Sequence, residues 1–288
     1  MAFETVYPAQ AALGECPLWC ARTGRLWWVD IEAPALNCFD PARGTNRTLP
    51  MDENIGCIAL RRQGGFIAGM RSGLWLLDED GRKLERIANP QPDSTISRFN
   101  DGRADPWGRF WAGTIHEPRD RPAAILCRVD TDLTCTQVAG DIMVSNGLAF
   151  SPDRAWMYHS DTPAHVIYRY PLDADGTPGP RELFHQFPHG NGRPDGAAVD
   201  ADGFYWSALY EGGRVVRLSP AGEIVAEYPV PARCPTMCAF GGPELRTLYV
   251  TSARHGRGAE ELAEWPQSGD LFAMQVETPG LPEPGFAG

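Results

Sequence analysis

The sequence predicts an all-β fold, a six-bladed β-propeller closed by its N-terminal strand. Three observations carry this. A short aromatic and β-branched run recurs six times at a period of about 45 residues, the range of propeller blades. Convincing helical patterning is confined to Gly258-Ala-Glu-Glu-Leu-Ala-Glu-Trp265. The final repeat stops a strand short, and the N-terminal segment Phe3-Glu-Thr-Val-Tyr7 has the composition to supply the missing strand.

The recurring runs begin with Gly24-Arg-Leu-Trp-Trp-Val-Asp30 and Gly64-Gly-Phe-Ile-Ala-Gly69. Gly108-Arg-Phe-Trp-Ala-Gly113, Ala155-Trp-Met-Tyr-His-Ser160, Gly203-Phe-Tyr-Trp-Ser-Ala208 and Thr247-Leu-Tyr-Val-Thr-Ser252 follow. Aligning Leu26, Phe66, Phe110, Trp156, Tyr205 and Leu248 gives spacings of 40, 44, 46, 49 and 43 residues by subtraction of their positions. Most copies lead into a second apolar run that ends at a turn, such as Ile125-Leu-Cys-Arg-Val-Asp130 or Val215-Val-Arg-Leu-Ser-Pro-Ala-Gly222. Gly and Asp-Gly suit these turns because they accept positive φ. The excess of 31 Gly and 26 Pro fits a chain with many such turns. One domain, residues 1–288, is expected, with 277–288 as a loose tail.

Composition narrows the function. A formal charge of -11 argues against nucleic acid and anionic membrane surfaces, both of which reward a basic face. No window approaches the roughly 18 apolar residues of a membrane span. The first residues carry neither a basic nor an apolar leader segment, so a cytoplasmic protein is expected, a monomer or weak homo-oligomer. The eight cysteines lie mostly in apolar runs and read as reduced core residues. The two Cys-Pro-x-x-Cys pairs, Cys16/Cys20 and Cys234/Cys238, have neither zinc-knuckle nor redox spacing.

Chemistry-bearing residues lie upstream of the aromatic runs. Glu15 precedes Leu26 by 11 residues, while Asn100, Asn146 and Asp195 precede Phe110, Trp156 and Tyr205 by 10 each. Each sits beside Gly or near Pro and leads into an apolar strand. Taken singly, Asn-Gly and Asp-Gly are hairpin turns. Four in the same phase predict side chains at one height, converging on the axis. Such an all-oxygen set suits one divalent ion, Ca²⁺, Mn²⁺, Mg²⁺ or Zn²⁺, with coordination positions left for water and substrate. Asp78-Glu-Asp-Gly81, Asp173-Ala-Asp-Gly176 and Asp200-Ala-Asp-Gly203 lack the ligand spacing of calcium loops and are expected to be turns. His189 is expected in a surface loop or at the edge of the pocket. No G-x-S-x-G or H-E-x-x-H pattern is present.

Several strings together resemble the senescence marker protein-30/gluconolactonase family. They are Leu13-Gly-Glu-x-Pro-Leu-Trp19, Arg98-Phe-Asn-Asp-Gly102 with Gly113-Thr114, Ser145-Asn-Gly-Leu-Ala-Phe-Ser151, Pro194-Asp-Gly196 and Phe240-Gly-Gly-Pro243. The resemblance implies a six-bladed propeller with a divalent metal on Glu15, Asn146 and Asp195, and sugar contacts from Arg98 and Asn100. It implies hydrolysis of an aldonolactone, a small-molecule pentono- or hexonolactone, to the aldonic acid; some members are calcium-binding proteins. The family often has an acidic substrate contact where this chain has Pro118, so either Glu117 takes that contact over or it is lost.

Asp195 is then the candidate general base, although a metal hydroxide oriented by Asp195 would serve equally. Two other classes remain open from sequence: a non-enzymatic calcium-binding propeller, and a six-bladed aryl-esterase or organophosphate hydrolase with an apolar pocket.

Overall fold

The computed structural model describes residues 2–91 and 93–288. Six four-stranded antiparallel sheets form a six-bladed β-propeller. Blade 1 contains Gly14–Cys20, Arg25–Asp30, Ala35–Asp40 and Thr45–Pro50, in that order from the axis outwards. Blades 2 to 5 repeat the plan, starting from inner strands Ile55–Leu60, Ser97–Ala104, Ser145–Phe150 and Arg193–Val199. Blade 6 takes Pro235–Gly241, Thr247–Ser252 and Leu271–Gln275 from the end of the chain and Glu4–Tyr7 from its start. Glu4 pairs with Ala273 and Thr5 with Phe272, so the N-terminal strand closes the ring as the sequence predicts.

The aromatic runs are the second strand of every blade. Their side chains fill the space between blades, which explains why they recur: Leu26, Phe66, Phe110, Tyr205 and Leu248 are buried at the same depth. The outermost strands, such as Thr45–Pro50 and Ile224–Pro229, are mostly exposed, and Thr45–Pro50 is largely polar. Buried aspartates tie the turns to the blades. Asp200 is inaccessible; it accepts from the Trp206 indole at 2.9 Å and pairs with Arg217 at 2.7 Å. Asp105 does the same with Trp111 at 2.8 Å and Arg109 at 2.6 Å. Asp200-Ala-Asp-Gly203 is therefore a turn, as expected. The helix is short, Ala259–Glu264. Among the described residues no helix is long and apolar enough to cross a membrane. The eight cysteines are free, seven of them buried.

Each inner strand loses register with its neighbour once. The breaks fall between Glu15 and Leu18, Ile55 and Cys57, Phe99 and Asp101, Asn146 and Ala149, Pro194 and Ala197, and Pro235 and Cys238. These are β-bulges, which re-aim a side chain that regular pleating would send into the sheet face. Asp101-Gly102, Asn146-Gly147 and Asp195-Gly196 thus sit inside inner strands, not in hairpin turns.

The C-terminal stretch corrects the expectation of a loose tail over 277–288. Gly280 bridges to Asp200, Phe286 bridges to Arg61, and the Phe286 side chain is fully buried. The Phe286 amide donates to the Leu60 carbonyl at 2.8 Å, and Ala287 donates to Gly108 at 2.9 Å. The segment crosses the end of the ring where the inner strands finish, and Glu283 lies 3.5 Å from the channel-lining Arg103. Its Pro and Gly content lets an extended strap follow the surface while one aromatic anchor supplies the burial. Phe286→Ala is predicted to cost about 3–5 kcal/mol in urea unfolding, the range for a buried Phe truncation; a loose tail would leave the midpoint unchanged.

Candidate functional site

The opposite end of the ring, where the inner strands begin, holds a cavity of about 320 Å³. Glu15, Arg98, Asn100, Glu117, Asn146 and Asp195, the six residues singled out from sequence, all line it. Five come from bulged inner strands: Glu15 of blade 1, Arg98 and Asn100 of blade 3, Asn146 of blade 4 and Asp195 of blade 5. In blades 2 and 6 the corresponding residues are Gly56 and Thr236, so the polar set is asymmetric about the axis. Glycine is required beside the bulge at two positions. Gly147 has φ 62°, and a Cβ there would strike the Ser160 and Tyr205 hydroxyls; one on Gly196 would strike the Met237 side chain.

The amides are fixed in a chain of hydrogen bonds. Arg98 Nη1 donates to Asn100 Oδ1 at 2.8 Å, and Asn100 Nδ2 donates to Asn146 Oδ1 at 2.9 Å and to the Ser145 carbonyl at 3.1 Å. Asn146 Nδ2 donates to Thr162 Oγ1 at 2.8 Å, and that hydroxyl donates to the Pro194 carbonyl at 2.8 Å. This network sets the orientation of Asn146 and leaves one lone pair of its Oδ1 free. Asn100 is thereby assigned a supporting contact to Asn146 in addition to its place on the cavity wall.

The carboxylates are in a different condition. Glu15 and Asp195 are each 6% exposed, and among the described residues neither forms an ion pair with a basic side chain. Glu15 Oε2 accepts only from the Cys16 amide, at 3.0 Å. Burial, followed by repulsion from Asp195 and Asp101, holds the Glu15 carboxyl well above the usual range. Burial and then Asp101 do the same to Asp195, against smaller opposing effects from Arg193, Arg119 and a hydrogen bond from Asn146. Two buried carboxylates without a counter-charge beside an amide oxygen are a donor set that a hard divalent cation fits. No group of three or more His, Cys, Asp or Glu forms a metal cluster among the described residues, so the fit depends on the amide as third ligand.

Glu117 occupies the wall but is already engaged. It takes a bidentate pair from Arg71, at 3.0 and 2.6 Å, and lies 3.6 Å from Arg98 Nε. The Arg71 hydrogen bond is the main reason its carboxyl titrates below the usual range. Arg98 is buried and also lies 3.4 Å from Glu32. Sequence reading missed Glu32, Arg71 and Asp101. It also missed Arg193, although this residue stands two before Asp195 as Arg98 stands two before Asn100. Arg193 lines the cavity, pairs with Glu211 at 2.7 Å and stacks over Tyr210. His189 is outside the cavity, exposed and packed on His165 with ring centroids 4.2 Å apart.

Residues 13–254 match the family described as the SMP-30/gluconolactonase/LRE-like region. The chain belongs to this family. Within the same family, a 6-deoxy-6-sulfogluconolactonase from Pseudomonas putida is 58% identical over 279 residues, 96% of either chain. A pentonolactonase from Haloferax volcanii is 37% identical over 291 residues, covering 98% of this chain and 97% of its own. The crystal structure of a calcium-binding protein, regucalcin, from Agrobacterium tumefaciens superposes with a TM-score of 0.94 at 30% identity, covering 99% of this chain and 97% of that one. The family and its six-bladed fold agree with the expectations from sequence.

Behind the amide network, the His159 ring packs Nε2 against Ser145 Oγ at 2.7 Å. Burial lowers the His159 pKa from 6.5 to about 3, so the ring is neutral in the fold. The unfolded chain binds this proton first. Stability is therefore fully present above pH 6.5 and lost as pH falls towards 3. The acid limb of a stability–pH profile is predicted to flatten between those values in His159→Gln; an unchanged slope contradicts a buried neutral ring.

Proposed function

We propose that Glu15, Asn146 and Asp195 hold one divalent cation, and that this chain opens sugar lactones at the cavity they line. As a member of its family, with sugar lactonases among its relatives, the chain is a lactone-hydrolysing enzyme acting on aldonolactones. The observation that carries the metal reading is the pair of buried carboxylates, Glu15 and Asp195, without a basic partner. A regucalcin structure described as calcium-binding supports a divalent ion of the hard, oxygen-preferring kind.

When bound, the cation supplies Lewis acidity to the lactone carbonyl and to water. Asp195 accepts the proton as a water oxygen bonds to the carbonyl carbon; the carbon–ring-oxygen bond then breaks, and the proton returns to the departing oxygen as a hydroxyl. The product is the open aldonic acid, with no atom gained beyond that water. Arg98 presents a fixed guanidinium to the sugar hydroxyls, because Glu32 and Glu117 flank it and Asn100 accepts from it. Glu117, held by Arg71, acts here as a positioning residue for Arg98. The acidic contact absent at Pro118 is replaced in charge but turned towards arginine. The polar lining favours a sugar over an aryl ester or an organophosphate, which an apolar pocket would suit. Identity to the Pseudomonas enzyme extends the proposed substrate class to hexonolactones carrying a sulfonate at C6.

The test is a proton-release assay over a panel of aldonolactones, using chelator-treated protein re-supplied with one ion at a time. Glu15→Gln and Asp195→Asn are predicted to fold but to lose about 10²–10⁴-fold in kcat/KM. Both are also predicted to lose the rise in melting temperature that the stripped wild type shows on adding the ion. Wild-type turnover in both variants contradicts the assignment.

A further inference from the structure

Positive charge along the cavity is unevenly engaged. Arg98 lies between Glu32 and Glu117, and Arg193 is paired with Glu211. Arg119 lines the same cavity, is exposed, and among the described residues makes no ion pair and no side-chain hydrogen bond. Its backbone is not free, however. Arg119 has φ 54°, a left-handed conformation unusual for a side chain of this size. Its amide donates to the His116 carbonyl at 2.9 Å, and the Glu117 amide donates to Ile96 at 2.9 Å. His116 Nε2 and Asp120 Oδ1, 2.7 Å apart, close the turn from either side. A pinned turn therefore presents an unpaired guanidinium to the cavity.

Glu15 and Asp195 lie at the buried end of the cavity, whereas Arg119 is at its exposed rim. A lactone bound with its carbonyl towards Asp195 thus directs the remote end of its carbon chain to the rim. A cavity of about 320 Å³ suits one hexose-sized ligand with a terminal substituent.

We propose that Arg119 determines specificity at this remote end by binding an anionic tetrahedral group, a sulfonate or a phosphate, on the terminal carbon of the sugar lactone. The proposal rests on the lactonase reading above and deepens it. An Arg fork suits such a group because several N–H donors meet several oxygens at once, and charge assistance roughly doubles each hydrogen bond.

Three lactones separate the possibilities: gluconolactone, 6-phosphogluconolactone and 6-deoxy-6-sulfogluconolactone. In Arg119→Gln, the ratio of kcat/KM for an anionic lactone to that for gluconolactone is predicted to fall about tenfold to a hundredfold, mainly through KM. Arg119→Lys is predicted to recover part of it, and salt to weaken the wild-type preference. Loss with the sulfonate alone, or with the phosphate alone, identifies the source of the anion. An equal fall for all three lactones overturns the proposal, as does a wild type without preference for either anionic lactone. Calorimetry with the open acids, gluconate against 6-phosphogluconate and 6-deoxy-6-sulfogluconate, reads the subsite without turnover. If no lactone is opened, the lactonase reading fails. The subsite then stands on a wild-type preference for an anionic acid that Arg119→Gln abolishes, and falls if the acids bind alike.

Discussion

Every inner strand of this propeller breaks register near the end where the cavity opens, and the chemistry depends on those breaks. In a regular strand successive side chains point to opposite faces of the sheet, so none points along the sheet plane to the axis. A bulge leaves one or two residues unpaired and turns them inward. Asn100 and Asp195 are themselves unpaired, while Glu15 and Asn146 form the last pair before the break. The same irregularity forces the glycines. With six backbones crowding the axis, Gly147 and Gly196 have no space for a Cβ. The Asn-Gly and Asp-Gly pairs thus combine a polar side chain that must face the axis with a neighbour that must have none.

Electrostatics then divides the cavity into an inner, acidic end and an outer, arginine-bearing end. At the inner end burial, and after it repulsion from neighbouring carboxylates (Asp195 and Asp101 on Glu15, Asp101 on Asp195), disfavours the ionised forms of Glu15 and Asp195. A cation between them removes both penalties at once, which is why two uncompensated carboxylates in a folded ring point to a ligand more than to structure. Structural carboxylates in the same molecule look different. Asp105 and Asp200 are equally buried, yet each is paired with an arginine and an indole N–H. On the cavity wall Glu117 links Arg98 to Arg71, so the orientation of Arg98 depends on a residue that sits outside the cavity lining.

The ring and the four axial residues were legible because both are periodic. Side chains between blades repeat as Leu26, Phe66 and Phe110 do, and Glu15, Asn100, Asn146 and Asp195 keep one phase against that repeat. What was not legible lacks a phase. Glu32, Arg71 and Arg119 lie on connections or at strand ends, whose geometry depends on local hydrogen bonds such as the His116–Asp120 closure. Asp101 lies in a motif that was noticed, but alternation assigns only one of two neighbours to the axis; the bulge brings both Asn100 and Asp101 towards it. The final segment misled for a compositional reason. Its prolines and glycines read as disorder, while the single Phe286 is buried in the hydrophobic core beside Leu60.

Crystals soaked in Mn²⁺ and measured for anomalous scattering bear most directly on the cation. One strong peak is predicted at the head of the inner strands, within coordination distance of a Glu15 oxygen, an Asp195 oxygen and Asn146 Oδ1, with its remaining positions open to the cavity. A cavity without a peak, or a peak bound elsewhere while Glu15 and Asp195 stay uncoordinated, would contradict it.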